Sequence, residues 1–256
     1  MPLSGTTLSC RAFRLPCQGN GLEECQDALA ADAERSRFAI ADGAAESPYS
    51  SLWAQLLVEE FVRQSERLIP WEKWLPALQK RWAVVCGLAP SPRQSEETGV
   101  PWYLEVGLRH GAFATFLGLV IEDRSWYATA VGDSCLFQVR QDELIRAFPV
   151  IRAADFSNTP WLIGSRTSPY EVPHKNGLQT QGDCQPGDRL WLMTDALAQW
   201  FLTQAENGGK PWLALASLEQ TAEGASAEQT FAAWIEGLRT ARQLRNDDVT
   251  LVAIAL

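Results

Sequence analysis

The sequence predicts an antiparallel α+β domain, and three observations carry that expectation. Four short apolar or alternating stretches, at 113–121, 125–131, 135–140 and 143–148, follow one another with polar turns of two or three residues, the pattern of a strand meander. Helical periodicity comes in blocks, at 51–68 and 71–85 and again near the C-terminus, and not between successive strands, which disfavours a doubly wound parallel sheet. Apolar runs also stop at acids. Phe38-Ala39-Ile40-Ala41 ends at Asp42-Gly43, Leu190-Trp191-Leu192-Met193-Thr194 ends at Asp195, and Asp247-Asp248 stand directly before the run 249–254. Three acids at strand ends, far apart in sequence, can converge on one hard-cation site.

In chain order, residues 6–13 read as an opening strand. Residues 15–26 hold Pro16, Gly19, Asn20 and Gly21 and read as loop. Residues 27–31 lead into the strand at 38–41. Ser47-Pro48 is a helix start. After it, Leu52, Leu56, Val58, Phe61 and Val62 recur at helical spacing with Glu59, Glu60, Arg63 and Glu66 between them. Residues 71–85 place Trp74, Leu75, Leu78 and Trp82 on one face, an apolar stripe suited to core packing. The Pro-, Ser- and Glu-rich segment 89–103 reads as a mobile surface loop near the approach to the site. Gly132-Asp133-Ser134 and Gln141-Asp142 are turns of the meander, 156–178 is irregular, and 186–188 is the turn into the strand 189–194. Residues 197–204, 211–218 and 227–244 read as helices, and 249–256 as the last strand.

Composition narrows the function. With 256 residues the chain is long enough for a full core and reads as one domain over 1–256. A formal charge of −9 argues against a nucleic-acid partner, because that affinity rests on Lys and Arg neutralising phosphates. There is no apolar run long enough to span a membrane and no signal-peptide pattern at Met1-Pro2-Leu3. Six cysteines without a Cys-x-x-Cys pair read as reduced thiols of a cytoplasmic protein. Two histidines, His110 and His174, are too few for a His-rich zinc or copper site.

The order of motifs resembles the PP2C-type metal-dependent protein phosphatases, in particular their compact bacterial members. Cys25-Gln26-Asp27-Ala28 is similar to the opening acid motif of that family, and residues 38–43 to its central Asp-Gly motif, followed by the expected long helix. Ala130-Val131-Gly132-Asp133-Ser134 resembles its Gly-Asp-Ser turn, 186–197 its strand ending in Asp-Gly-Leu, and Asn246-Asp247-Asp248-Val249-Thr250 its closing strand. The resemblance implies an αββα sandwich, two antiparallel sheets packed face to face with helices outside. It also implies that Asp42, Asp195 and Asp247 are the catalytic acids of a centre for two Mg²⁺ or Mn²⁺ ions. Asp42 would bridge the ions, the Gly43 carbonyl would bind one, and Asp195 and Asp247 would complete the other. Asp27 would act near the second ion, and Asp133 with Asp195 would hold the third, weaker ion found in some members.

The implied activity is hydrolysis of phosphoserine or phosphothreonine in proteins by a hydroxide bridging two ions about 4 Å apart. The implied setting opposes a bacterial Ser/Thr kinase or acts on its targets. No protein nucleophile is needed, in keeping with the absence of a Gly-x-Ser-x-Gly elbow. Four positions depart from the family pattern. Leu22 stands where better-known members carry a phosphate-gripping arginine, so Arg14 is the substitute candidate for substrate binding. Ala44 replaces a histidine of many eukaryotic members, and Ala45 and Ala196 replace glycines. An alanine at φ > 0 after Asp195 would cost about 1 kcal/mol. These departures keep open a second reading, a catalytically weak or inactive regulatory module on the same fold.

Overall fold

The computed structural model describes residues 8–45, 47, 49–86, 111–157, 159–167, 177–219 and 225–256. The expected loop 89–103 lies outside the described residues. The strands are β1 (Ser9–Leu15), β2 (Asp27–Asp32), β3 (Arg37–Asp42), β4 (Phe113–Ala114), β5 (Phe116–Glu122), β6 (Ser125–Val131), β7 (Cys135–Arg140), β8 (Glu143–Phe148), β9 (Ile163–Gly164), β10 (Leu178–Asp183), β11 (Arg189–Met193) and β12 (Val249–Ala255). The helices are α1 (Ser50–Arg63), α2 (Trp71–Val85), α3 (Asp195–Glu206), α4 (Pro211–Glu219) and α5 (Ala225–Thr240). One five-stranded sheet runs β1-β12-β11-β7-β8, a second runs β10-β6-β5-β3-β2, and β4 pairs with β9. Every pairing is antiparallel.

Period-two alternation sorts the strand residues into three cores. In β3, Phe38 and Ile40 face inward between the sheets, where with Leu117 and Leu119 of their own sheet they meet Leu190, Leu192, Val252 and Ile254 of the other. The alternate residues Ala39 and Ala41 face α1 and α2, where Trp53, Leu57, Phe61, Trp74 and Trp82 pack. On the far side, Phe13, Phe137, Trp191 and Leu251 of the first sheet pack against α3, α4 and α5 through Phe201, Trp212 and Phe231. The layers are therefore helix, sheet, sheet, helix. Small residues on the α1 face let that helix approach closely. A Cβ on Gly118 would lie 2.6 Å from the Phe61 ring, so only glycine fits there.

Several elements differ from the sequence expectation for local reasons. The opening strand runs on to Leu15, held by seven residue pairs with β12. Asp27–Asp32 is a full strand paired with β3, although its alanines favour helix, because burial of Ala28 against the α1 layer overrides propensity. The polar stretch Leu178–Asp183 is also a strand. It is a sheet edge with one partner, β6, and needs no apolar alternation. Helix α1 stops at Arg63 instead of reaching Leu68. The Gln64 amide caps the end by donating to the Phe61 carbonyl (3.3 Å), and the buried guanidinium of Arg37 donates to that carbonyl (3.1 Å) and to the Glu66 carbonyl just beyond the helix (2.9 Å), fixing the chain where it leaves α1. Helix α5 ends at Thr240, not Leu244. The Gln141-Asp142 turn has φ of 50° and 66°, the left-handed pair of a tight hairpin.

Candidate active site

One end of the sandwich gathers the acids. Asp42 closes β3 and Asp27 opens β2, and the two are directly paired across the hairpin. Asp133 lies in the crossover that carries the chain from β6 in one sheet to β7 in the other. Gly132 has φ of 95°, and a Cβ there would meet Thr115 at 2.7 Å, so the turn that aims Asp133 requires glycine. Asp195 is the first residue of α3, just beyond β11, and Asp247 and Asp248 precede β12. Asp42, Gly43, Asp195, Asp247 and Asp248 line one cleft of about 690 Å³, walled further by Thr115, Ser157, Thr159 and Leu162.

Backbone bonds hold the base of this cleft. Thr115 donates its amide to the Asp42 carbonyl (2.8 Å), and its hydroxyl accepts the Asp42 amide (3.1 Å) while sharing a hydrogen bond with Ser134 (2.9 Å). The Gly43 amide donates to the Gln26 carbonyl (3.2 Å). The Asp248 carboxylate accepts from the amides of Cys17 (2.7 Å) and Gln26 (2.6 Å), tying the 15–26 loop to β12. Thr194 donates its hydroxyl to Asp27 (2.9 Å) and accepts the Thr250 amide (2.9 Å). Arg239 reaches across to the carbonyl oxygens of Asp247 (2.6 Å) and Pro16 (3.1 Å). Arg239→Ala should therefore lower stability by about 1.5–3 kcal/mol and loosen the 245–248 turn. Thermal unfolding together with amide exchange at Asp247 and Asp248 checks this, and an unshifted melting temperature would count against it.

The acids are poorly compensated. Burial pushes the Asp27 carboxyl up to about 7, with the charges of Asp248 and Asp247 adding to the rise against hydrogen bonds that lower it. Burial raises Asp133 to about 6. Asp42 is held well above the ordinary carboxylate range by burial first and then by Asp27, Asp247 and Asp133. One oxygen of Asp27 and both carboxylate oxygens of Asp133 are buried without a partner. Buried carboxylate oxygens in this condition call for a proton or a cation. The donor set, carboxylates with the Gly43 carbonyl, is the hard-oxygen set that suits Mg²⁺ or Mn²⁺, and in this the residues fit a metal centre.

Asp195 and Asp247 stand differently. The guanidinium of Arg245 donates through Nη2 to Asp195 and forms an ion pair through Nε with Asp247 (3.1 Å), bridging the two carboxylates. Asp195 also accepts its neighbour's amide, Ala196 N–H, at 2.5 Å. Asp247 is half exposed (50%) and accepts the Asp248 amide (3.0 Å). Among the described residues, no group of three acidic, histidine or cysteine side chains is drawn together tightly enough to hold a metal ion as it stands.

The positions singled out from the sequence resolve as follows. Ala196 is the second residue of α3 and has no left-handed backbone, so the feared strain after Asp195 does not arise. Ala44 and Ala45 line the cleft. Leu22, 53% exposed, and Arg14 line a separate groove of about 660 Å³ between α1 and α5, and Arg14 donates to the Asp27 carbonyl (3.1 Å). Three participants were not read from the sequence as site residues: Arg245, Thr194 and Thr115. Arg245 was legible only as the residue two before Asp247, and nothing in its local pattern distinguishes it from a surface arginine.

Comparison with known proteins follows the geometry. No curated protein matches the chain. Among solved structures, the Mycobacterium tuberculosis serine/threonine phosphatase PstP/Ppp superposes with a TM-score of 0.62 at 14% identity, covering 98% of this chain and 99% of that one. The catalytic domain of serine threonine protein phosphatase PstP in complex with two manganese ions gives 0.60 at 15% identity, covering 97% of each chain. PppA, a key regulatory component of T6SS in Pseudomonas aeruginosa, gives 0.58 at 13% identity and 98% coverage of both. At these identities the likeness speaks for the fold, which is the expected pair of antiparallel sheets with helices outside. The family model for protein phosphatase 2C matches residues 19–244, a span that includes Asp27, Asp42, Asp133 and Asp195 and stops just short of Arg245 and Asp247; the chain belongs to the protein phosphatase 2C family.

Proposed function

We propose that this chain is a Mg²⁺- or Mn²⁺-dependent protein serine/threonine phosphatase, a single domain over 1–256 working in a bacterial cytoplasm on the targets of a Ser/Thr kinase. The observation that carries the reading is the gathering of acids at one end of the sandwich in a protein phosphatase 2C chain: the buried, unpartnered carboxylate oxygens of Asp27 and Asp133, near Asp42, which lines an open cleft and whose carboxyl is held well above its ordinary range. Asp42, the Gly43 carbonyl, Asp195 and Asp247 would hold two ions, with Asp27 nearby and Asp133 available to a third. When bound, such ions supply a water of lowered pKa and screen the phosphate dianion. The chain's own groups do the positioning. Thr115 and Gln26 fix the backbone of Asp42-Gly43, and both residues line the cleft. Thr194 orients Asp27, leaving its second oxygen free to hold a water proton. In this reading the carboxylates of the cleft are committed to the ions, so a water, and not Ser157 or Thr159, is the expected nucleophile.

The test is release of phosphate from a phosphoserine or phosphothreonine peptide with and without Mn²⁺. Metal-dependent turnover is the expected result, and none at any metal concentration would overturn it. A second reading, a weak or inactive regulatory member, draws support from the Arg245 bridge and from the exposed Leu22 lying beside the cleft's neighbouring groove instead of in the cleft. The same assay separates the two.

A further inference from the structure

We infer that Arg245 is a tethered cation that competes with divalent metal for Asp195 and Asp247, so that metal binding must displace its guanidinium. The inference rests on the metal-dependent reading above and adds a regulatory element to it. Arg245 is the only cation among the described residues lining the cleft, where it stands among the carboxylates of Asp42, Asp195, Asp247 and Asp248. It donates to one oxygen of Asp195 through Nη2, and its Nε lies 3.1 Å from one oxygen of Asp247 as an ion pair. The remaining oxygen of each acid accepts a backbone amide, from Ala196 to Asp195 (2.5 Å) and from Asp248 to Asp247 (3.0 Å). Both oxygens of Asp195 therefore already have protein donors, and those of Asp247 are engaged by an amide and by the ion pair. A divalent ion placed on either acid would sit against the guanidinium at contact distance, and the like charges would repel.

The guanidinium has somewhere to go. Arg245 is 36% exposed, and it sits in a turn whose neighbouring residues, not its own side chain, carry the structural bonds: Arg239 holds the Asp247 carbonyl, and Asp248 holds the amides of Cys17 and Gln26. Swinging out returns the guanidinium to water without breaking the turn. Asp27, Asp42 and Asp133 accept no hydrogen bond or ion pair from Arg245, so the bridge itself engages only Asp195 and Asp247. In thermodynamic terms the observed metal affinity is the intrinsic one reduced by the fraction of molecules whose arginine has moved away. If the free form is populated at the roughly 0.1–10% usual for a minor conformer, abolishing the bridge tightens metal binding about ten-fold or more.

Calorimetric titration of metal-free protein with Mn²⁺ tests this, comparing the parent with Arg245→Gln and Arg245→Lys. The glutamine variant is expected to bind Mn²⁺ at least about ten-fold more tightly. The lysine variant, a point charge that cannot bridge two carboxylates, is expected to fall between. Metal-free Arg245→Gln should melt below the parent, because Asp195 and Asp247 are left uncompensated, and Mn²⁺ should raise its melting temperature by more than it raises the parent's. Adding Asp42→Ala to Arg245→Gln should remove the gain, which locates it in this cleft. A purely structural arginine would not produce tighter binding, since damage to the turn weakens a site. Equal or weaker Mn²⁺ binding by Arg245→Gln, with the parent binding normally, overturns the competition and leaves the metal-dependent reading standing. Failure of both proteins to bind Mn²⁺ overturns both.

Discussion

Replacing Asp42 by alanine is expected to abolish Mn²⁺ binding and to lower kcat/KM on a phosphopeptide by more than about a hundred-fold, while leaving the metal-free protein as stable as the parent or more stable. The activity side follows from position. Asp42 closes β3 opposite Asp27, and together with Gly43 it lines the cleft. Loss of groups that merely support a metal ligand costs about 10–100-fold, so loss of the bridging ligand proposed here should cost more. The stability side follows from electrostatics. Burial and the neighbouring charges of Asp27, Asp247 and Asp133 hold this carboxyl well above its ordinary pKa, which means that its charged form is disfavoured in the folded protein. Removing it relieves the folded state. Chemical denaturation in the presence of chelator measures this arm, and Asp42→Asn, which keeps the shape, should behave alike. A metal-free Asp42→Ala protein several kcal/mol less stable than the parent would mean that the carboxylate is structural.

The second large effect lies at the other end of the sandwich. Asp188 has no exposed side-chain surface and precedes β11 at the end away from the cleft. It accepts from Arg140 Nε (2.8 Å) and Nη2 (2.7 Å), from Gln138 (2.8 Å) and from the Gln185 amide (2.9 Å). Gln138 in turn accepts from the indole of Trp126 in the facing sheet (2.9 Å), so one carboxylate anchors a polar chain that crosses the inter-sheet core. Breaking a buried ion pair by removing one partner costs about 3–5 kcal/mol. The low end, about 3 kcal/mol, is expected for Asp188→Ala, because Arg140 remains 19% exposed and keeps Asp183 at 2.9 Å. Burial by itself would raise the Asp188 carboxyl, but Arg140, the Gln185 amide and Gln138 outweigh it and hold it below 3.8. The sign then follows. The folded form binds the proton less readily than the unfolded one, so this stabilisation is complete above pH 3.8 and is lost as the pH falls through the lowered value. Urea midpoints for parent and Asp188→Asn should therefore converge in strong acid. A constant gap down to pH 2 would refute the assignment.

Much of this was open to reading in the chain itself. Elements whose local pattern and tertiary role agree were legible: the meander from 113 to 148, the Trp-bearing face of 71–85, and the apolar runs that deliver Asp42 and Asp195. Each is specified by side-chain period, and the acids mark the strand ends because a charge cannot continue a buried strand. The sequence by itself also determined the donor chemistry of the site, oxygen ligands and almost no histidine. Tertiary structure alone decided the remainder. Asp27–Asp32 is a strand because β3 and α1 cover its alanines, and Leu178–Asp183 is one because β6 offers a free edge; neither fact is written in local propensity. Ala196 is harmless because α3 begins at Asp195, two residues before the helix expected from 197. The partner of Asp195 and Asp247 is Arg245, fifty residues beyond the first and two before the second, and only the meeting of β11 with β12 brings the three together. Sequence states which groups a protein owns; an ion pair also needs distance, and distance is set by the sheet.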